Sequence, residues 1–395
     1  MLVRLGFKIK IGYPSKERTP KICLSSSLHL FSTHFKKILS QGLENLWFHP
    51  DDRYCALAYS CGLILIPHKP TLRLLQSTTG FRAVNLSEFL QAEILGWETE
   101  GIFDSVIQSL PADGELITDE VVLPKENTAQ MEAEVVYSSC DKRLLQGQAY
   151  AVLVWIQGET TRVVGFRPVQ GDLFVATAEM IQHFLSLGPS ITGVRADGAY
   201  FKPGFCQHLK ALGIPLVSKP RRDSKWWLGN EKIQLKTWAT QLDKASFHYY
   251  GVQRVYARSF LLTHHDRPAC KIVVVRPQRS CADKDIFFLL STDLSLTTRQ
   301  IIIAYRKRWR IEVAFRDCKQ HLGLKAHQGW KQSSLRHVAM VFLTYNFLAE
   351  EKEIWGGTLG GRKRDWIHRQ KLERTTLSDL SNTYIGSTMT LQLSS

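Results

Sequence analysis

The stretch Tyr305–Lys319, YRKRWRIEVAFRDCK, is the part of the chain from which its organisation can first be inferred. Thr297 and Gln300 precede it at the spacing of a capping box, in which each side chain satisfies a backbone N–H of the other residue. No Gly or Pro interrupts the run before Gly323, a residue suited to a helix C-terminus. The pattern predicts one continuous helix through this stretch.

One face of the predicted helix carries polar groups of several kinds. At about 100° per residue, four of them fall on the same side over about 21 Å: Tyr305, Arg308, Glu312 and Lys319. Glu312 is one of two acids between positions 299 and 336, where ten Lys or Arg residues lie. A carboxylate in such a field indicates either an ion-pair partner or a metal ligand that faces a polyanion. A basic surface helix with one incidental Glu is the plainer interpretation of this segment taken alone.

The spacing resembles the YREK signature of DDE-type insertion-sequence transposases. All four residue types stand at the signature's intervals in this chain. The resemblance implies that Glu312 is the third catalytic carboxylate and that Tyr305, Arg308 and Lys319 bind transposon-end DNA. It also implies an RNase H-like catalytic domain with two further carboxylates upstream.

Composition supports a folded protein with a polyanionic partner. The 395 residues are 44% hydrophobic, and Lys+Arg 51 against Asp+Glu 36 gives a net charge of +15. Eight of these excess charges lie between positions 299 and 336, so the charge is concentrated. Such a field favours nucleic acid or an anionic membrane surface. No apolar run approaches the roughly 20 residues of a membrane span.

The eight cysteines are scattered without a CxxC pair or a Cys/His block at zinc spacing. This pattern predicts a reducing cytoplasm and no structural zinc. His264 and His265 form an isolated pair, which favours a strand end over a metal site. The basic residues at the start of the chain predict a flexible arm.

The order of apolar runs predicts a mixed sheet. Three β-rich runs, 115–123, 148–157 and 162–169, are followed by helix 176–187, strand 191–196, helix 205–212 and strand 215–219. Strand 191–196 ends on Asp197, and ligands of such crossover units lie at the carboxyl ends of the strands. We therefore expect an α/β fold with an RNase H-like mixed sheet and flanking helices, interrupted by a β-rich insertion.

Five regions follow from these patterns, and the insertion again resembles that of the YREK group. We expect a mostly helical N-terminal region that could recognise DNA ends (1–110), the first part of the catalytic domain (111–220), the insertion (221–291), the catalytic helix with a final core helix (292–350) and a loosely ordered tail (351–395).

Three acids from separate segments are the candidate catalytic residues and metal ligands: Asp119, Asp197 and Glu312. Carboxylates suit Mg²⁺ or Mn²⁺, and phosphodiester chemistry commonly uses two such ions about 3.5–4 Å apart. An acid on a buried strand is an unusual surface residue, which supports Asp119. For Asp197, an ordinary helix-cap or turn role is the alternative.

The first acid departs from the family pattern. The family usually has Asp-x-Thr or Asp-Asp-Thr here, whereas this chain has Asp119, Glu120 and Val121. Because side chains alternate along a strand, only one of the two acids can face the other carboxylates. We expect Asp119 to be the ligand and Glu120 to point away. The reverse orientation would favour an inactive copy.

The start of the insertion, RRDSKWW, combines Arg221 and Arg222 with Trp226 and Trp227. Adjacent aromatic and basic side chains are typical of base-stacking DNA sites. Two strand aromatics that cover a core are an equally good interpretation. The resemblance implies that a Trp of this insertion stacks on a flipped base.

The resemblance as a whole implies a cut-and-paste transposase of bacterial type. Its partners would be double-stranded DNA at transposon ends and targets, and it would act as a homodimer in the DNA complex, in a nucleoid-associated cytoplasmic setting. Two alternatives stay open. One is a metal-dependent nuclease without strand transfer, and the other is a catalytically impaired or repurposed DNA-binding protein.

Overall fold

The structure is a computed structural model that describes residues 50–92, 101–125, 134–138, 142–169, 171–329 and 331–371. The expected basic N-terminal arm lies outside these residues. No helix among them is long and apolar enough to cross a membrane. None of the cysteines in the described residues is in a disulfide, and five of these six thiols are buried.

Twelve strands in the described residues form one sheet. They are β1 (Gly114–Pro124), β2 (Glu134–Ser138), β3 (Arg143–Gln157), β4 (Thr160–Pro168), β5 (Ile191–Ala196), β6 (Leu216–Ser218), β7 (Lys225–Leu228), β8 (Glu231–Gln234), β9 (His248–Tyr250), β10 (Val255–His264), β11 (Arg267–Arg276) and β12 (Phe287–Ser291).

The helices surround this sheet. They are α1 (Pro50–Leu65), α2 (Leu72–Thr79), α3 (Ala83–Gln91), α4 (Asp104–Gln108), α5 (Leu173–Ser186), α6 (Pro203–Ala211), α7 (Leu235–Gln241), α8 (Thr298–Lys307), α9 (Trp309–His321), α10 (Lys331–Trp355) and α11 (359–371).

The central five strands have the order β4-β3-β1-β5-β6. β3 is antiparallel to both β1 and β4, whereas β5 runs parallel to β1 and to β6. Three antiparallel strands followed by two parallel crossover strands give the RNase H-like arrangement expected from the sequence. The α/β fold class is therefore confirmed.

The strands of the insertion extend this same sheet. β12 pairs with β6 in antiparallel fashion, through Leu290 opposite Ser218, and β11, β10, β7 and β8 follow in order. The short strand β2 and helix α7 were not predicted. The insertion is thus continuous in hydrogen bonding with the central strands.

Helix α10 forms the centre of the core on the α1–α3 side. It is buried along most of its length and packs against β4, α1 and α3. Asn346 bonds both the N–H and the carbonyl of Val163 at 2.8 Å, and Tyr59 of α1 lies 2.8 Å from the Nδ1 atom of His337. These bonds satisfy polar groups that would otherwise destabilise a buried helix.

The stretch predicted as one helix is two helices that meet at Arg308. The capping box of Thr297 and Gln300 is present, and Gly323, at φ 70°, follows the last turn, as expected. At the junction the Arg308 N–H bonds the Tyr305 carbonyl, and the Ile311 N–H bonds the Arg308 carbonyl. These i to i−3 bonds make a tight 3₁₀-type turn that separates α8 from α9.

The region after residue 350 differs from the loosely ordered tail that we expected. α10 continues to Trp355, and α11 places Leu359 and Trp366 in the core. Lys363 of α11 is 5% exposed and donates to the carbonyls of Leu63, at 2.8 Å, and His321. The basic composition of this region gave no indication that Lys363 anchors α11 to the core. Residues 372–395 lie outside the described part.

Lys363→Met tests this anchor through the pH dependence of stability. Burial lowers the pKa of the Lys363 ammonium to about 8 from 10.5. The unfolded chain therefore binds the proton more tightly, and stability rises with pH across this window. Between pH 7.5 and 9.5, wild type should gain about 2 kcal/mol relative to the variant in urea unfolding. If the difference in unfolding free energy between wild type and Lys363→Met does not change with pH, as expected for the exposed Lys236→Met control, the anchoring role of Lys363 is wrong.

Candidate active site at the middle of β1 and the carboxyl end of β5

Two of the three candidate carboxylates lie on neighbouring strands. β1 and β5 are parallel with Thr118 opposite Ala196, so the next residues, Asp119 and Asp197, are adjacent. Asp197 caps the short 3₁₀ turn Gly198–Tyr200, and its carbonyl accepts from the Ser218 hydroxyl at 2.8 Å. Parallel pairing thus brings the two acids to one edge of the sheet.

The third carboxylate reaches this edge from α9 through Arg308. The Arg308 guanidinium donates to Asp119 Oδ2 at 2.9 Å and also to Glu312 Oε1. Its side chain is 14% exposed, so both hydrogen bonds are shielded from water. Arg308 therefore bridges two acids that are almost 200 residues apart in sequence.

The pKa of Asp119 reflects this crowding. Burial raises it from 3.8 to about 6, and the nearby charges of Asp197 and Glu312 add to the rise. The Arg308 guanidinium and the Glu120 N–H act in the opposite direction. The three carboxylates are therefore close enough to interact electrostatically.

The orientation of β1 separates Asp119 from Glu120. Alternation places Glu115 and Asp119 on one face of the strand. On this face Glu115 pairs with Lys307 at 3.1 Å, as Asp119 pairs with Arg308 at 2.9 Å. Thr118, on the opposite face, lies 3.4 Å from the Tyr200 hydroxyl. Glu120 shares the face of Thr118 and points away from α8 and α9.

Tyr305 and Lys319 occupy opposite sides of this cluster along the helices. The Arg308 guanidinium carbon lies 5.8 Å from the centre of the half-buried Tyr305 ring. Lys319 follows Glu312 by about two turns on the same helix, and its nitrogen lies 5.9 Å from the ring centre of Phe315. Arg308 is thus engaged within the protein, whereas we expected it to face DNA phosphate.

The donor set suits hard divalent ions, since all three acids offer oxygen ligands. The present arrangement is nevertheless held by Arg308, which takes up one oxygen of Asp119 and one of Glu312. The only described His, Cys, Asp and Glu side chains whose ligand atoms lie within 4.8 Å of one another, three or more together, are His264, His265 and Asp266. The carboxylates fit the ions chemically, and Arg308 competes with a cation for two of their oxygens.

The histidine set is explained without a metal. His264 ends β10, as expected, and its Nε2 atom lies 3.3 Å from an Arg267 N–H donor. Its Nδ1 atom lies 2.5 Å from Asp266. Because an arginine N–H donates to Nε2, that nitrogen accepts and Nδ1 carries the ring proton. The three residues form a polar chain beside a guanidinium, an unfavourable setting for a cation.

A cavity of about 1080 Å³ opens beside Asp197, next to Gly198 and Ala199. Five basic side chains line it: Lys202, Arg221, Lys225, Lys232 and Arg267. Aromatic rings of Phe174, Phe201 and Trp227 complete the wall, with Asp223 as the acid. Clustered cations and ring faces are the features of single-stranded nucleic-acid sites.

The two tryptophans have different roles, because their strand alternates. Trp226 is fully buried and stacks on Phe201, so its predicted place in a DNA-stacking platform is wrong. Trp227 is 38% exposed on the cavity wall, with the Lys232 nitrogen 5.6 Å from its ring centre. Alternation along β7 sends one ring inward and the other outward.

The two arginines also differ. Arg221 lines the cavity and pairs with Asp223 at 3.2 Å. Arg222 donates to the carbonyls of Asp283 and Lys284 at 2.6 and 2.7 Å. These bonds fix the loop before β12, so Arg222 is a structural link rather than the DNA contact that we predicted.

Sequence reasoning missed four cavity cations: Lys202, Lys225, Lys232 and Arg267. Lys232 could have been found, because Gly229 and Asn230 form a two-residue turn that pairs Trp227 with Lys232. Lys225 shares the face of Trp227. Lys202 and Arg267 come from distant segments, and no local signal places them here.

Comparison with known families decides which group this arrangement resembles. Residues 171–347 match the transposase DDE domain family. The segment that matches the transposase DDE domain contains Asp197 and Glu312, together with the insertion and α9. Asp119 lies upstream of it.

Two further comparisons add little. A solved structure of the Drosophila P element transposase strand transfer complex is similar over 54% of this chain, with 14% identity and a TM-score of 0.27. The similar region spans about half of that chain, 53%. No curated protein matches the sequence.

Asp119→Asn tests the crowding of the carboxylates in metal-free protein. Because the folded pKa of Asp119 is raised to about 6, the stability that its protonated form contributes is present below pH 3.8 and is lost as pH rises through 6. From pH 5 to 7.5, the variant should gain about 1 kcal/mol relative to wild type. Urea unfolding in the presence of a chelator measures this gain. If the difference stays flat with pH, the carboxylate is not crowded.

Proposed function

We propose that the chain is a DNA transposase that hydrolyses a strand at the end of a mobile element and joins the freed 3′-hydroxyl to DNA. The convergence of Asp119, Asp197 and Glu312 at one edge of an RNase H-like sheet carries this proposal. The match of residues 171–347 to a transposase DDE domain supports it. The resemblance to the YREK group adds the cut-and-paste sequence of steps.

The three carboxylates would hold two Mg²⁺ or Mn²⁺ ions. Such ions activate the attacking oxygen and stabilise the leaving oxygen of a phosphodiester. The chain's own residues bind and orient the DNA. The cations of the cavity beside Asp197 hold the phosphates, and Trp227 supplies a stacking face.

Arg308 would change partners when DNA binds. In the free protein it bridges Asp119 and Glu312, whereas a bound strand offers phosphate oxygens that suit its planar fork. Tyr305 and Lys319 flank it on the same helices and would contact the same backbone. The DNA would be double-stranded at transposon ends and targets, bound by a homodimer in a nucleoid-associated cytoplasmic setting.

A second candidate function is that of a repurposed DNA-binding protein without catalysis. The engagement of Asp119 and Glu312 by Arg308 favours it, since a bridge that never opens would exclude the metal. Val121 in place of the family's Thr, which removes a hydroxyl next to the site, also favours it.

A cleavage assay separates these functions. Duplexes carrying the sequences that flank the gene are incubated with Mg²⁺ and analysed for nicked, cleaved and joined strands. Joined products support the transposase, cleavage alone supports a nuclease, and a gel shift without chemistry supports the repurposed protein. Asp119→Asn, Asp197→Asn or Glu312→Gln should lower cleavage by more than about 100-fold through loss of a metal ligand.

Glu120→Gln is the matched control for these variants. It removes a charge one residue from Asp119 on the opposite face of β1, so it should keep most of the activity. An inactive Glu120→Gln beside an active Asp119→Asn would mean that the assignment of the first acid is wrong.

Trp227→Ala tests the stacking wall of the cavity. Loss of the ring should weaken DNA binding by about 1–3 kcal/mol without altering the salt dependence, because stacking involves no phosphate charge. Fluorescence anisotropy over a salt series measures both. The control is Trp355→Ala, which removes a more exposed Trp outside the cavity. Equal losses in the two variants would rule out a specific role for Trp227.

A further inference from the structure

Arg310 makes a contact that the proposed chemistry does not use. It lies on the first turn of α9, between Arg308 and Glu312, and its side chain is half-buried. Its guanidinium donates to three consecutive carbonyls in the turn between β3 and β4, those of Gly158, Glu159 and Thr160. The bond to Thr160 is 2.9 Å long. One side chain thus joins α9 to the edge of the central strands.

The β3–β4 turn, which Arg310 contacts, is well placed to fix the position of α9. Ile156 lies opposite Glu115 across β3 and β1, so the β3–β4 turn stands at the end of the sheet where β1 begins. Lys307, at the end of α8, binds Glu115 at that same end, at 3.1 Å. Lys307 before the α8–α9 junction and Arg310 after it are therefore both bonded to the sheet.

A helix joined by a tight turn can still rotate about its own axis. Catalytic groups need to stay within about 0.5 Å and 10–20° of the productive geometry. Glu312 is two residues from Arg310 on the same helix, so a rotation that breaks the carbonyl bonds would also displace its carboxylate. Arg308, at the junction, would lose its alignment with Asp119 in the same movement.

We infer that Arg310 is a positioning residue, which sets the rotation of α9 by binding the β3–β4 turn and so directs Glu312 towards Asp119 and Asp197. This inference rests on the proposed function. Arg310 itself contacts neither the carboxylates nor the cavity. Its planar fork of donors can reach three carbonyls at once, which a lysine ammonium cannot match in geometry.

A nearby arginine supplies a matched control. Arg162 on β4 binds both oxygens of Glu353 on α10, each at 2.7 Å. This pair ties the same edge of the sheet to a helix and is of similar exposure to Arg310. Neither residue lies on α9, although the charge of Glu353 acts on the pKa of Arg310. Arg162→Ala should therefore lose comparable stability without moving Glu312.

The experiment compares wild type with Arg310→Ala, Arg310→Lys and Arg162→Ala in single-turnover cleavage of the end duplex at saturating DNA. Arg310→Ala should cleave roughly 10- to 100-fold more slowly, with DNA affinity unchanged, because a displacement of about 1 Å has this effect on rate. Arg310→Lys should stay impaired, and free guanidinium should partly restore Arg310→Ala. Arg162→Ala should cleave at nearly the wild-type rate.

A second readout does not depend on turnover. Mn²⁺ should raise the melting temperature of wild type and Arg162→Ala, and this rise should be reduced in Arg310→Ala. If Arg310→Ala cleaves and responds to Mn²⁺ as Arg162→Ala does, the inference is wrong and the proposed function stands. A wild-type protein with neither cleavage nor a Mn²⁺ response overturns the proposed function, and the inference with it.

Discussion

The clustering of three carboxylates, of which Asp119 and Glu312 are half-buried and Asp197 is exposed, is the constraint on which the arrangement of this sheet edge depends. Parallel pairing of β1 and β5 fixes Asp119 beside Asp197, and α9 adds Glu312. A half-buried carboxylate with two others nearby is costly to ionise, and burial, with the charges of its neighbours, raises the pKa of Asp119. In this structure the guanidinium of Arg308 supplies a compensating charge and also draws α9 onto the sheet. The α8–α9 junction is therefore held to the sheet by these ion pairs in addition to buried apolar side chains such as Ile301 and Ile311.

The central strands were predictable because their periodicity and boundaries are local. Strand β5 coincides with the expected 191–196, and the capping box at Thr297 is confirmed. The break at Arg308 was not predictable, since bonds to i−3 and to i−4 leave the same polar pattern over one turn. Helix α11 was missed because its buried lysine resembles solvated charge in the sequence. Neither distinction is present in residue types alone.

The candidate site likewise has features that the sequence predicted and features that it could not predict. Asp197 could be placed at the end of a predicted strand and Asp119 within one, and alternation on β1 set Glu120 apart from them. The same rule, applied to β7, would have separated Trp226 from Trp227. The partners of Arg308 and Arg222 could not be foreseen, because each bonds to a segment at least sixty residues away. The partners of a long basic side chain are the groups that the fold brings near it, and the sequence shows only that the side chain is basic.

Gly198 has a mechanical consequence. A side chain at this position would place its first carbon 2.2 Å from the carbonyl oxygen of Lys219, so only glycine lets the loop after Asp197 lie against the strand that leads into the insertion. The Ser218 hydroxyl, bonded to the Asp197 carbonyl, fastens the same two segments. Asp197 and the start of the insertion are therefore joined by a close backbone approach and a hydrogen bond. If a DNA strand binds in the basic cavity as proposed, pressure on the insertion would be transmitted to this carboxylate, and the insertion would then influence the proposed metal-binding edge.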